Sequence, residues 1–165
     1  MNQHSLRVKL PSLVALMATL TRVSPASAQL GGPFIKQHLY SETANANMDI
    51  SAAIRQATRE NKHILLEFGG DWCSDCQVLE IYFHQPPNDA LLTKHFVVVH
   101  IDIGQMDHNV AIAKRYQVPI EKGVPAFAVL DSHGRLLFSQ KNKEGETMSR
   151  MDAGAVTQFL NKWKG

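Results

Sequence analysis

The stretch Ile64-Leu65-Leu66-Glu67-Phe68-Gly69-Gly70-Asp71-Trp72-Cys73-Ser74-Asp75-Cys76 decides the fold. Its first five residues are apolar on both faces except at Glu67, the pattern of a strand covered by helices on each side. Gly69 and Gly70 end the strand. From Cys76 onward Val78, Leu79, Ile81, Tyr82 and Phe83 crowd two turns, as expected of a helix packed on a sheet. The stretch therefore reads as a strand delivering a Cys-x-x-Cys pair to the start of a helix. Cys73 falls at or near the N-cap, and Cys76 follows on the same helical face, close enough to bridge. Unpaired N–H groups and the positive dipole end of the helix favour thiolate over thiol there, which implies thiol–disulfide exchange. The same spacing supplies half of many zinc sites. These are the only two cysteines, however, so a structural zinc would have to draw its other ligands from scattered His, Asp or Glu, and the redox reading is preferred.

Upstream, Asp49 precedes Ile50, Ala53, Ile54 and Ala57 at helical spacing, which predicts a first helix capped by Asp49 and ending near Asn61. Residues 29–48 are mostly polar, contain Gly31-Gly32-Pro33, show no sustained period and read as a flexible leader. Ahead of them lie Arg7 and Lys9 with no acid, an apolar core from Leu10 to Leu20, and Ala26-Ser27-Ala28. These are the three parts of a secretory signal peptide cleaved after Ala28, with an apolar core too short to span a bilayer. The alternative is a disordered or amphipathic N-terminal arm. Cleavage removes three of the 17 basic residues, Arg7, Lys9 and Arg22, and none of the 15 acidic ones. The resulting net charge of about −1 gives no reason to expect nucleic acid or an anionic membrane surface as partner. Two cysteines in an exported protein form either a structural bridge or a redox pair. A bridge closing so short a loop constrains little of the unfolded chain, so the spacing favours reactivity.

Downstream, Pro86-Pro87-Asn88-Asp89 breaks the pattern, and Ala90 to Phe96 reads as a short helix capped by Asn88 or Asp89. The β-branched run Val97 to Ile103 is a second buried strand, and Asp107 to Tyr116 another short helix. Gly123-Val124-Pro125 leads into a third strand, Ala126 to Leu130, and His133-Gly134 turns the chain into a fourth, Arg135 to Ser139. Lys141 to Arg150 reads as a loop. Asp152 caps a last helix whose Val156, Phe159, Leu160 and Trp163 share one face. The predicted class is α/β, a central mixed four-stranded sheet flanked by helices on both faces, in one domain over residues 49–165.

With Trp72-Cys73-x-x-Cys76 at the end of a central strand and Val124-Pro125 opening a later one, the sequence resembles the thioredoxin family over about residues 49–164. It looks most like the periplasmic thioredoxin-like proteins, including the C-terminal domain of the bacterial transmembrane disulfide reductase, which makes the periplasm the expected compartment. The resemblance implies a thioredoxin-like fold, with Cys73 as attacking thiolate and Cys76 as resolving cysteine. It also implies a cis bond before Pro125, in a loop that faces the dithiol and pairs with bound substrate. Val118-Pro119 is a second candidate, but only Pro125 directly precedes the strand. Trp72 is read as a packing residue that shields the dithiol, with a substrate-binding role implied by the resemblance alone.

Glu67 matches the family's buried acid below the resolving cysteine. A carboxyl inside a doubly covered strand is anomalous in its own right, and desolvation should raise its pKa towards a range useful for shuttling a proton to Cys76. The alternative places the strand nearer an edge, with Glu67 reaching water. The sequence departs from the family pattern at Ser74 and Asp75 between the cysteines, at His100 in the strand where cytosolic members carry a lysine, and at the extra residues Pro119 to Lys122. His100 itself reads as a satisfied core or edge histidine.

The leading functional expectation is an exported, monomeric thiol–disulfide oxidoreductase without bound cofactor or metal. It would exchange electrons with protein disulfides in the reducing direction, fed by a membrane electron donor. The competing expectation is a periplasmic protein holding Cu(I) through Cys73, Cys76 and a third ligand. A third is a binding module whose disulfide is only structural.

Overall fold

The computed structural model describes residues 36–141 and 152–165; the segment read as a signal peptide, the first part of the leader and nearly all of the 141–150 loop lie outside them. The described elements are α1 (Ala46–Glu60), β1 (His63–Gly69), α2 (Ser74–Phe83), α3 (Asn88–His95), β2 (Phe96–Asp102), α4 (Val110–Arg115), a 3-10 turn (Ile120–Lys122), β3 (Ala126–Leu130), β4 (Leu136–Ser139) and α5 (Ala153–Trp163). The four strands form one sheet in the order β2-β1-β3-β4. β1 pairs parallel with β2 and antiparallel with β3, and β3 pairs antiparallel with β4. This is the predicted mixed sheet, with helices on both faces. No described helix is long and apolar enough to cross a membrane.

Strand alternation divides the interior into two layers. Ile64, Leu66 and Phe68 of β1 join Val99 and Ile101 of β2 under α1 and α4, where Ile50, Ala53, Ala57, Ile112 and Ala113 cover them. On the other face Leu65 packs with Phe127 and Val129 of β3 against Leu79 and Phe83 of α2 and Val156 and Leu160 of α5. Fully burying side chains of this kind contributes about 1.5–3 kcal/mol each, enough to hold a short helix that could not stand alone in water. Glu67, two residues beyond Leu65, faces the α2 layer. It lies in a strand with neighbours on both sides and is 1% exposed, which excludes the alternative of an edge strand reaching water.

Several element boundaries differ from the sequence-based expectation for local reasons. α1 is capped by Asn45, whose side chain accepts the Met48 N–H at 3.2 Å, so the helix starts within the stretch read as leader and Asp49 falls in its first turn. A negative charge is favoured there by the dipole. Neither Asn88 nor Asp89 is the cap of α3, which starts after Pro87 without a side-chain cap. Asn88 is buried, with its amide turned to the backbone of Tyr82 and Ala153. α4 is shorter than the predicted 107–116 because Gly104, Met106 and Asn109 adopt positive φ and keep the preceding segment in turns.

Candidate active site

Cys73 is the N-cap of α2, and its Sγ accepts the Cys76 N–H at 3.1 Å. A cysteine thus occupies the place where Ser or Asp more often satisfies an orphan helix donor, and negative charge on this sulfur is favoured by both the N–H and the dipole. The two cysteines are disulfide-bonded with Cα atoms 5.3 Å apart. Cys73 retains 5% exposure and Cys76 none, so the N-terminal sulfur is the more accessible of the pair. Val124 O lies 3.6 Å from Cys73 Sγ, which puts the loop before β3 directly against the dithiol. The Val124–Pro125 and Pro86–Pro87 peptides are cis. Trp72 is 45% exposed, and its indole N–H donates to Gly104 O at 2.7 Å. With Tyr40, Asp71 and Gly104 it borders an open cavity of about 430 Å³ beside the motif. Of the six sequence-predicted site residues, Cys73, Cys76 and Val124 thus meet directly, Pro125 is buried behind Val124, and Trp72 flanks them.

Glu67 is reached from two sides. Tyr40 Oη donates to Glu67 Oε1 at 2.6 Å in a buried hydrogen bond. The β1–β2 register sets His100 opposite Glu67, and its Nδ1 lies 3.1 Å from Glu67 Oε2. That contact has ion-pair length, but the two groups are not aligned for a hydrogen bond, so Glu67 Oε2 and His100 Nδ1 have no aligned partner. Burial pushes the His100 pKa down, but contact with Glu67 and the negative charges of Glu67, Glu80 and Asp71 outweigh it and leave the pKa raised. The Tyr40 pKa is driven far upward, chiefly by burial and then by the adjacent Glu67 charge. Its hydroxyl therefore remains a hydrogen-bond donor throughout the physiological range.

The segment preceding α1 is attached to the site. Asp71 Oδ1 accepts the N–H groups of Leu39 and Tyr40 at 2.9 and 3.0 Å, and Asp71 Oδ2 pairs with His38 Nδ1 at 2.8 Å. On α2 the buried Gln77 amide holds Gln37 at both ends, accepting its N–H and donating to its carbonyl, each at 2.9 Å. Tyr40 forms one buried cluster with the two cysteines, and Leu39 and Val124 pack against it. The leader expected to be flexible over residues 29–48 is tied to the site at Gln37, His38, Leu39 and Tyr40. Tyr40, Asp71, Gln77 and the pairing of His100 with Glu67 were all missed by sequence reasoning. The only available signal for Tyr40 was an isolated aromatic in a polar stretch.

Among the described residues, Glu67, Glu80 and His100 place one donor atom each within 4.8 Å of one another, the donor types that can hold a divalent cation. The cysteines are not part of that group. Glu80 Oε1 also lies 2.8 Å from His84 Nε2 and accepts its N–H when that nitrogen carries the proton.

A family profile described as thioredoxin-like matches residues 44–132, more than half of the chain. The thiol:disulfide interchange protein DsbD of Klebsiella pneumoniae is 25% identical over 161 residues, covering 95% of this chain and 25% of that protein. The chain thus spans about a quarter of the length of the curated relatives it matches. Among solved structures, a disulphide isomerase from Xylella fastidiosa Temecula1 is 34% identical with a TM-score of 0.72, over 78% of this chain and 98% of that one. The oxidised C-terminal domain of Neisseria meningitidis DsbD has 19% identity and a TM-score of 0.51, over 73% of this chain and 97% of that one, a likeness of fold alone.

Proposed function

The chain belongs to the thioredoxin-like family of disulfide oxidoreductases, and from that premise we propose that it is an exported reductase of protein disulfides, working through Cys73 and Cys76. The observation that carries this reading is the unequal placement of the two sulfurs. Cys73 Sγ sits at a helix N-terminus with a backbone N–H directed at it, while Cys76 is fully buried behind it. In the reduced protein the Cys73 thiolate attacks one sulfur of a substrate disulfide, forming a mixed disulfide and releasing the other substrate sulfur as a thiolate. Cys76 then loses its proton and attacks Cys73 Sγ. The Cys73–Cys76 bond forms, the bond to substrate breaks, and two electrons have passed to the substrate.

Val124, Pro125 and Trp72 border the attacking sulfur and are the surface on which substrate backbone would lie. Glu67 is the buried acceptor of the Cys76 proton. The reducing direction rests on Asp75, an exposed carboxylate in the first turn of α2. Its charge opposes thiolate formation, and a less stabilised thiolate makes the dithiol a better electron donor. The helix dipole works the other way, favouring negative charge on the Cys73 sulfur. Export to the periplasm, for which the N-terminal sequence pattern argues, would remove the protein from cytosolic reductants and require a membrane electron donor.

Two measurements test this. Cys73→Ser abolishes insulin reduction, whereas Cys76→Ser accumulates mixed disulfides with substrate; greater alkylation of Cys76 than of Cys73 in the reduced protein would reverse the assignment. Equilibration with glutathione should give a potential nearer about −270 mV than about −120 mV, and a value above about −160 mV makes the protein an oxidant or isomerase instead.

A further inference from the structure

The resolving step needs a proton to leave Cys76, which is fully buried, and the acid assigned to receive it, Glu67, is 1% exposed. What lies between sulfur and acid therefore decides how the proton moves. The Tyr40 hydroxyl is bonded to the acid and lies near the sulfur. It donates to Glu67 Oε1 at 2.6 Å, and the residue shares one buried cluster with the two cysteines. Gly69 gives a bound on the remaining gap. A Cβ placed on Gly69 would lie 2.5 Å from Tyr40 Oη and 2.8 Å from Cys76 Sγ, so the two atoms are no more than about 5.3 Å apart. The absence of a side chain at residue 69 is what leaves them facing each other. Tyr40 is held there by the two N–H groups that bond Asp71 and by the Gln77 clamp on Gln37.

We propose that the Tyr40 hydroxyl is the proton relay of the resolving step, a catalytic group supplied by the segment ahead of the family-matched region. The proposal rests on the oxidoreductase reading above. As the Cys76 sulfur attacks Cys73 Sγ, its proton passes to Tyr40 Oη while the Tyr40 proton passes to Glu67 Oε1. Cys76 loses one proton, Glu67 gains one, and Tyr40 is neutral before and after. A free tyrosinate is never formed, consistent with a hydroxyl surrounded by Glu67, Glu80 and Asp71 charge and largely withdrawn from water. His100, 3.1 Å from the second Glu67 oxygen, keeps that carboxylate compensated while it waits for the proton.

The test is single-turnover kinetics on the full chain, with Cys73 attack and Cys76 resolution followed separately by quenching with an alkylating agent. Tyr40→Phe keeps the ring and removes only the relay atom. It should leave Cys73 attack unchanged and slow resolution by roughly 10²-fold, the low end of the usual acid–base contribution. Glu67→Gln should slow resolution comparably, and the Tyr40→Phe/Glu67→Gln double variant no further, because both atoms serve one path. The wild-type resolution rate should show a solvent deuterium effect that Tyr40→Phe reduces, a signature that loosened packing would not produce. Resolution within about twofold of wild type in Tyr40→Phe, or additive losses in the double variant, overturns the relay. If the wild-type protein forms no mixed disulfide at all, it is the oxidoreductase reading that fails.

Discussion

At Gly69 the strand, the dithiol and the docked segment crowd together. A methyl group there would sit inside contact distance of the Tyr40 hydroxyl and ring carbon and of the Cys76 sulfur, and none of these can withdraw without losing a bond. Tyr40 would have to leave Glu67, and Cys76 is fixed by the disulfide and by its helix. Gly69→Ala is therefore expected to destabilise the oxidised protein by about 1–3 kcal/mol, the usual cost of overpacking. In a Tyr40→Ala background, where the main obstacle is absent, the same substitution should cost clearly less. Urea unfolding of the four proteins of this cycle measures the coupling, and equal costs in both backgrounds would show that Tyr40 is not what Gly69 accommodates.

At the scale of elements, the segment 37–40 behaves as a strap anchored by side chains of its neighbours rather than by a ladder of its own. Asp71 is its main acidic anchor. Burial raises the Asp71 pKa, but the Tyr40 and Leu39 N–H groups and His38 outweigh this and hold it below 3.8. A carboxylate with a lowered pKa in the folded state contributes stability that is complete above its ordinary value and lost as the pH falls through the lowered one. The amide resonances of Leu39 and Tyr40 should therefore titrate together with a midpoint below pH 3.8, the strap loosening on the acid side. Asp71→Ala should speed hydrogen exchange at both amides at least roughly tenfold at neutral pH, since their acceptor is gone. A midpoint at or above the ordinary aspartate value would mean that these N–H groups do not hold the carboxylate.

Across the whole molecule, one buried polar residue joins three helices. Asn88 donates to Tyr82 O at the end of α2 and to Ala153 O at the start of α5, and accepts from Thr157 Oγ1 at 2.6 Å, all from the first residue of α3. Asn88→Ala removes three hydrogen bonds from a buried position, while Tyr82 O keeps the Gln85 N–H and Ala153 O keeps Thr157 Oγ1. The expected cost is about 1.5–4 kcal/mol, from three hydrogen bonds at about 0.5–1.5 kcal/mol each. Because Asn88 is remote from the sulfurs in its contacts, the folded variant should keep its thiol exchange rate. Chemical denaturation and insulin reduction check the two halves of this expectation, and a loss below about 0.5 kcal/mol would show that the junction is not holding the helices together.

The sequence by itself determined the strand-to-helix delivery of the dithiol, because apolar runs, glycine breaks and helical spacing are local signals that need no knowledge of partners. For the same reason it placed Cys73 at the helix start, marked Glu67 as an anomalous buried acid, and put Ala126–Leu130 and the Asp152-capped final helix where the structure has them. Only the tertiary structure decided what surrounds Glu67. That His100 faces it depends on the β1–β2 register, and a slip of one residue would have turned His100 to the opposite layer. That Tyr40 reaches it depends on hydrogen bonds spanning more than thirty residues, from a stretch with neither period nor propensity to announce them. Periodicity records which residues a segment buries. It carries no information on which distant side chains meet, since that is set by how the packed elements lie against one another.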